Sequence, residues 1–338
     1  MKVAPAVIAL LGIALATGML TAVLRHYAVR RRLIDVPNAR SSHTVPTPRG
    51  GGLAIVGCMS VVMPMLAWSD AISWAAGWAL LGSGLLIAGV GFVDDHGHVP
   101  ARWRLLVHFA AAGWALWWMG GAPPATIGGH EFETGLITNL IATVYLVWVL
   151  NLYNFMDGID GIAGVETITV CLGAAALHLL TGTSGAALLA LTLAASTSGF
   201  LYWNFPPARI FMGDAGSGFL GIILGVMSLH AGWMRPDLWW AWLVLLGVFI
   251  VDATVTLLRR MLRGEKIYQA HRSHAYQHAS RRLGRHLPVT AVVGVINLFW
   301  LLPIALWVGS GSLDGALGLV IAYAPLVLLA QRLGAGHP

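Results

Sequence analysis

Apolar runs of about 20 residues, long enough to cross the hydrocarbon core of a bilayer, recur along the whole of this 338-residue chain. A chain patterned in this way folds as an all-α integral membrane protein. Eleven spans are expected, at about 4–24, 51–68, 74–93, 103–120, 136–153, 161–180, 185–203, 217–233, 238–258, 288–309 and 313–331. The polar stretches between them reach roughly 25–30 residues, too short for an independent core. A single transmembrane domain over residues 1–338 is therefore expected. Charge agrees: 10% of residues are charged, against about 25% in a soluble domain. Cys58 and Cys171 lie inside apolar runs and read as small buried hydrophobes, with no disulfide framework and no CxxC metal pair.

Charge also sets orientation. Of 20 Lys and Arg, only Lys2 and Arg235 fall in one alternating set of connections; the other 18 fall in the second set, counting Arg104 at the mouth of its span. The positive-inside rule makes the second set cytoplasmic. Eleven spans then leave the N-terminus outside and the C-terminus inside. Trp68, Trp74, Trp117, Trp118, Trp233, Trp239 and Trp240 sit near the expected outer interface, as an aromatic belt does. Arg25, Arg30, Arg31 and Arg32 follow the first apolar run, whereas a signal peptide carries its charge in front, so that run reads as an uncleaved anchor. The net charge of +6 follows mostly from this bias; it suits anionic lipid or phosphate and gives no sign of nucleic-acid binding.

Four polar islands interrupt the apolar pattern, all on the expected cytoplasmic face: Asp94-Asp95, Asn154 to Gly161 (NFMDGIDG), Gly213 to Ser217 (GDAGS), and His271 to His278 (HRSHAYQH). Asp157, Asp160 and Asp214 each open a span, and helix capping alone would account for any one of them. Asp94-Asp95 closes a span, where a carboxylate opposes the helix dipole, so capping of its own helix does not account for that pair. Arg281, Arg282 and Arg285 read as ordinary positive-inside residues. Glu166 and Asp252, inside apolar runs, read as structural. Taken together the islands suit a metal–diphosphate site. Mg²⁺ takes one or two carboxylates plus substrate phosphates. Gly213 and Gly216 let backbone approach a phosphate at a helix N-terminus. Asp157 and Asp160 share a face if their turn is helical. A loop of arginine and histidine neutralises diphosphate from the other side.

With Pro48-Arg49-Gly50-Gly51-Gly52 and the run Asn204 to Ser217 (NFPPARIFMGDAGS), these motifs resemble the polyprenyl-phosphate N-acetylhexosamine-1-phosphate transferase superfamily over nearly the whole chain. The resemblance implies attack of undecaprenyl phosphate on the β-phosphorus of a UDP-N-acetylated amino sugar, with release of UMP. It implies Mg²⁺, or Mn²⁺, on Asp214. Asp94 and Asp95 resemble the catalytic pair, and Asn154 and Asp157 polar active-site residues. His271, Arg272 and His274 resemble the loop that holds diphosphate or sugar. Arg49 belongs to the glycine-rich motif and is carried over as substrate-binding, while Asp160, Asn204 and Phe211 resemble uridine-holding residues, Phe211 stacking on uracil. The muramoyl-pentapeptide branch carries consecutive histidines where this chain has HRSHAYQH. That departure points to the branch starting O-antigen synthesis, in a bacterial inner membrane with the site facing the cytoplasm. The sugar stays open among the N-acetylated glucosamine, galactosamine, fucosamine and quinovosamine donors. The resemblance leaves room for a homodimer. A secondary transporter is the rival reading; it would place acids near the bilayer midplane and show an internal repeat, whereas here the acids sit at span ends.

Overall fold

The computed structural model describes residues 3–37, 42–43, 45–97, 99–127, 130–265 and 271–337. Helices occupy every expected run: α1 (Val3–Arg30), α2 (Leu53–Trp68), α3 (Trp74–His96), α4 (Ala101–Met119), α5 (Leu136–Met156), α6 (Ile162–Leu180), α7 (Ser184–Asn204), α8 (Asp214–Met234), α9 (Pro236–Leu245), α10 (Gly247–Leu262), α11 (Ala275–Leu283), α12 (Leu287–Ile296), α13 (Leu302–Gly309) and α14 (Gly315–Leu333). A single π-helical turn, Asn297–Leu301, joins α12 to α13 as one span. Two short antiparallel hairpins complete the described chain: β1 (Ile34–Asp35) with β2 (Thr47–Pro48), and β3 (Ala125–Ile127) with β4 (His130–Phe132).

Among the described residues, eight helices are long and apolar enough to cross a membrane, nine if one bent pair counts as a span. The bent pair corrects the expectation of a continuous helix over 238–258. α9 and α10 meet at 69°. The physical reason is a change of character at the break. α9 is apolar, whereas Asp252, Thr256 and Arg260, four residues apart, put a buried polar edge along α10. That edge needs polar partners, and the bend delivers Asp252 to them. α2, with 16 residues, is shorter than a typical span, and α4 opens on Arg102 and Arg104.

Large side chains such as Ile8, Leu11, Ile137, Ile141, Val320 and Leu328 face outward, as lipid permits. The interior is organised around α8, which is buried along nearly its whole length and packs on α3, α5 and α9. Close packing at its start depends on glycines, Gly91 and the facing pair Gly52 and Gly216 among them. A Cβ on Gly91 of α3 would lie 2.5 Å from the Ala215 amide, so only glycine lets α3 approach the N-terminus of α8 this closely. The C-terminal ends of α3, α5 and α7 thereby meet the N-terminal ends of α6 and α8.

Candidate active site

At that meeting point lies a cavity of about 410 Å³. Its wall includes Arg49, Asp95, Asn154, Asp157, Asp160, Asn204, Phe211 and Asp214, eight of the residues singled out from sequence. They come from five helix ends and the strand-like segment at Pro48. The segment is held by main-chain bonds across to the loop before α8: Phe211 N–H donates to Pro48 O, Gly51 N–H to Phe211 O and Gly52 N–H to Met212 O, at 2.8–2.9 Å.

The two adjacent aspartates do different things. Asp95 is buried, and its carboxylate oxygens accept the Asp214 and Ala215 amides at 3.2 Å each. It sits at the wrong end of α3 for its own dipole but at the favourable end of α8, whose orphan amides it satisfies. Its carbonyl accepts a hydrogen bond from the Arg49 guanidinium. Asp94 accepts the Val99 amide at 2.8 Å and pairs with Arg104 at 2.7 Å. Arg104 also reaches Asp214 at 3.5 Å.

Because Asp95 caps α8 from across the interface, Asp214 does not have to. The N-cap of α8 is Gly213, at φ +79°, and the helix has no side-chain cap of its own. Asp214 keeps 38% of its side chain exposed. Its carboxylate interacts electrostatically with Asp94 and Asn154. Asn154 Nδ2 also donates to Ser217 Oγ at 3.2 Å. Likewise α6 begins after Gly161 without a side-chain cap, so Asp157 and Asp160 do not cap it. Asp157 is held well above the usual carboxylate range by burial, and further by Asp214, Asp95 and Asp160.

Asp160 and Asn204 line the cavity but are committed to the surrounding loops. Asp160 accepts the Ala208 amide at 3.0 Å and pairs with His286 Nδ1 at 3.1 Å. Asn204 accepts the Gly161 amide at 3.0 Å and donates to Ile210 O at 2.9 Å. Phe211 is half-buried, edge-on to His43 with ring centroids 4.8 Å apart. His286 also donates from Nε2 to Ser42 O at 3.0 Å. Its hydrogen bond and ion pair with Asp160 raise its pKa above the ordinary histidine value.

The histidine loop behaves differently. His271, Arg272 and His274 are absent from the cavity wall; Gln277, three residues on, is part of it. Arg272 is exposed, with its carbonyl accepting from Arg281 at 2.9 Å. His274 is buried, its Nδ1 3.3 Å from Asp252 Oδ1, with His271 stacked on it at 4.9 Å. His286, Asp35 and His43 join the cavity wall with no expectation from sequence, and Ser217, Gln277 and, at a second cavity, Arg104 join with no site role assigned to them there. The signal for Arg104 was its place ten residues after Asp94, inside the first turn of a span, which the charge bias alone already explained.

A second cavity of about 200 Å³ adjoins the first and shares Asn154 and Asp214 with it. Its wall is mostly apolar, from Ile87, Val90, Leu105, Leu150 and Phe155, with Arg104, His108 and Asn151 adding polarity.

Among the described residues no group of three or more acidic or histidine side chains is arranged to hold a metal ion by itself. Asp94 and Asp214 already share the Arg104 guanidinium, and Asp157 and Asn154 supply further oxygen atoms on the cavity wall. Mg²⁺ commonly takes one or two carboxylates and completes its shell with substrate phosphate and water.

Sequence comparison places this site in a family. The profile described as "Glycosyl transferase family 4" matches residues 77–232, a stretch that holds Asp94, Asp157 and Asp214. A probable undecaprenyl-phosphate N-acetylglucosaminyl 1-phosphate transferase of Bacillus subtilis is 31% identical over 267 residues, 76% of this chain and 72% of its own. A decaprenyl-phosphate N-acetylglucosaminephosphotransferase of Mycolicibacterium smegmatis is 30% identical over 318 residues, 81% of this chain and 77% of its own. The phospho-N-acetylmuramoyl-pentapeptide-transferase of Chlamydia muridarum is 31% identical over 237 residues, covering 63% and 68%. With the motif order, the membrane helices and the converging helix ends in agreement, this chain is a member of glycosyl transferase family 4, within the polyprenyl-phosphate N-acetylhexosamine-1-phosphate transferase superfamily.

Proposed function

We propose that the chain transfers an N-acetylated amino-sugar 1-phosphate from a UDP-sugar to undecaprenyl phosphate, forming the lipid-diphosphate sugar that starts a surface polysaccharide such as O-antigen. The observation that carries this reading is the pair of adjoining cavities, one polar and one apolar, that share Asn154 and Asp214. A nucleotide-sugar suits the larger cavity, where Phe211 offers a ring face and Arg49 a cation. An isoprenoid chain suits the apolar walls of the smaller one. The two phosphates then meet where the cavities join.

An oxygen of the lipid phosphate attacks the β-phosphorus, the β-phosphorus to bridging-oxygen bond breaks, and UMP carries that oxygen away. The acceptor phosphate is largely dianionic at neutral pH (second pKa about 6), so no base is needed. Asp214, with the oxygen donors of Asp94, Asp157 and Asn154 and the substrate phosphates, would hold a Mg²⁺ ion, Mn²⁺ being the alternative, which would supply charge neutralisation at the phosphate oxygens. Arg104, held between Asp94 and Asp214, orients the incoming phosphate. Asp95 acts through α8, whose start it fixes. Asp160 and Asn204 shape the uridine end by holding the loop at 206–212, with His286 bracing Asp160.

The test is direct. Purified protein with undecaprenyl phosphate and Mg²⁺ is expected to release UMP from a UDP-N-acetylhexosamine. The donor that gives the highest kcat/KM among the glucosamine, galactosamine, fucosamine and quinovosamine nucleotides identifies the sugar. No UMP from any of the four, with the protein folded, would sink this reading.

We place this site on the cytoplasmic face of a bacterial inner membrane, with eleven spans, N-terminus outside. Support comes from the 18 of 20 basic residues on the site's side of the membrane. Reporter fusions after 98, 208 and 275 are expected to read cytoplasmic, and those after 70, 183 and 311 outside. A fusion after 275 that reads outside would overturn the placement.

A further inference from the structure

The bend between α9 and α10 brings a buried acid to a place its own span does not explain. Asp252 makes four hydrogen bonds. Its two carboxylate oxygens accept the Ala275 and Tyr276 amides, each at 2.9 Å. Oδ1 also faces His274 Nδ1 at 3.3 Å and accepts from Thr256 Oγ1 at 3.1 Å. The two amides belong to the first turn of α11, where helix geometry leaves N–H groups without intrahelical partners. A carboxylate there satisfies them and favours the helix dipole.

What α11 carries makes this more than a packing detail. Tyr276 donates its hydroxyl to Phe155 O at 2.9 Å, two residues before Asp157 and one after Asn154. Gln277 stands in the wall of the larger cavity, and its Oε1 accepts the His274 amide at 3.3 Å. The other side of the loop is held separately: Gly336 N–H donates to Ser273 O at 2.7 Å. The contacts run from α10 through the start of α11 to the end of α5.

We infer that Asp252 is a positioning residue for the UDP-sugar cavity: by capping α11 it sets Gln277 in the cavity wall and locks Tyr276 onto the main chain at Phe155. His274 then serves as the imidazole that completes the cap. The kinetic consequences rest on the transfer reaction proposed above; the structural consequence does not.

Asp252→Asn is the informative substitution. Its side chain keeps one acceptor oxygen, so only one of the two amides is served, and the new NH₂ group faces the other. Loss of a hydrogen bond to a charged group is expected to raise KM for the UDP-sugar about tenfold and to lower kcat by a similar factor. KM for undecaprenyl phosphate should rise several-fold less than that for the UDP-sugar, since Gln277 lines only the larger cavity and the acceptor's cavity is reached only through the main chain at Phe155. A merely less stable protein would lose active fraction, lowering kcat with both KM values unchanged. Adding Gln277→Ala to Asp252→Asn should cost little more than either alone, because both act at one place. In substrate-free protein, hydrogen exchange in the 271–283 segment should quicken.

Unchanged exchange in that segment overturns the proposal, as does a UDP-sugar KM equal to wild type or a fully multiplicative double variant. If Asp252→Asn fails to fold, Tyr276→Phe with Gln277→Ala carries the test, and a wild-type UDP-sugar KM there overturns it. If wild-type protein releases no UMP, the transfer reading has failed, and the exchange measurement alone decides the role of Asp252.

Discussion

Asp214→Asn is expected to lower kcat by about 10³-fold or more while the protein stays folded, the scale of several kcal/mol that a misplaced metal ion forfeits. The argument rests on what Asp214 is not doing. Asp95 already caps α8, so asparagine at 214 removes no cap, and its size is nearly that of aspartate. The loss should therefore appear in turnover and not in thermal stability. A fall of less than about tenfold would contradict the metal role. Asp157 supplies a companion measurement. Its pKa is raised above the unfolded value of about 3.9. A raised acid favours the folded state fully below the unfolded pKa and loses that advantage as pH rises through the folded pKa. Without divalent cation the melting temperature should therefore fall across that window, and Mg²⁺ should restore it most at the alkaline end. A Mg²⁺ effect equal at acid and neutral pH would mean that the ion binds elsewhere.

Arg104→Ala should be nearly as severe, costing about 10²–10³ in kcat, the range for losing one preorganised donor to a charged group in flight. Arg104 is paired with Asp94 at 2.7 Å and reaches Asp214 at 3.5 Å, on the wall of the cavity assigned to the acceptor. The KM for undecaprenyl phosphate should rise, and that for the UDP-sugar should change little. Arg104→Lys should recover part of the rate, since both carboxylates are met by the one nitrogen Nη1, whose charge a lysine keeps, while the other guanidinium donors that could reach a phosphate are lost. Initial rates with each substrate varied in turn give the answer. Arg281→Ala, the loss of an equal charge on the outer face of α11, provides the comparison and should cost only a few-fold. Equal losses for Arg104 and Arg281 would reduce Arg104 to a contributor of net charge.

The site was legible to differing depths. The apolar runs and the polar motifs are written along the chain, and eight of the motif residues do share one cavity. The observation that Asp94-Asp95 sits at the unfavourable end of its own helix was sound. Its resolution was invisible from sequence, because the helix end that Asp95 serves begins 119 residues later. The same distance hid the freedom of Asp214, for which capping looked sufficient when only local sequence was weighed. His271, Arg272 and His274 were carried over from the resemblance to the family's diphosphate-holding loop, and in the structure they stand outside the cavity wall. Once α11 forms, a turn of helix separates His274, facing Asp252, from Gln277, facing the cavity.

By itself the sequence determined that this is an all-α membrane protein, where its helices lie, and which family motifs it carries. Those properties follow from hydropathy and short-range spacing, which the chain expresses residue by residue. Only the tertiary structure decided that the ninth span breaks, that Arg104 joins the aspartates, that Asp95 and Asp252 each cap a helix other than their own, and that two cavities meet at Asn154 and Asp214. Each of these depends on which helix ends come together. In a membrane, a freed backbone amide must find a partner within the protein, and that partner is chosen in three dimensions.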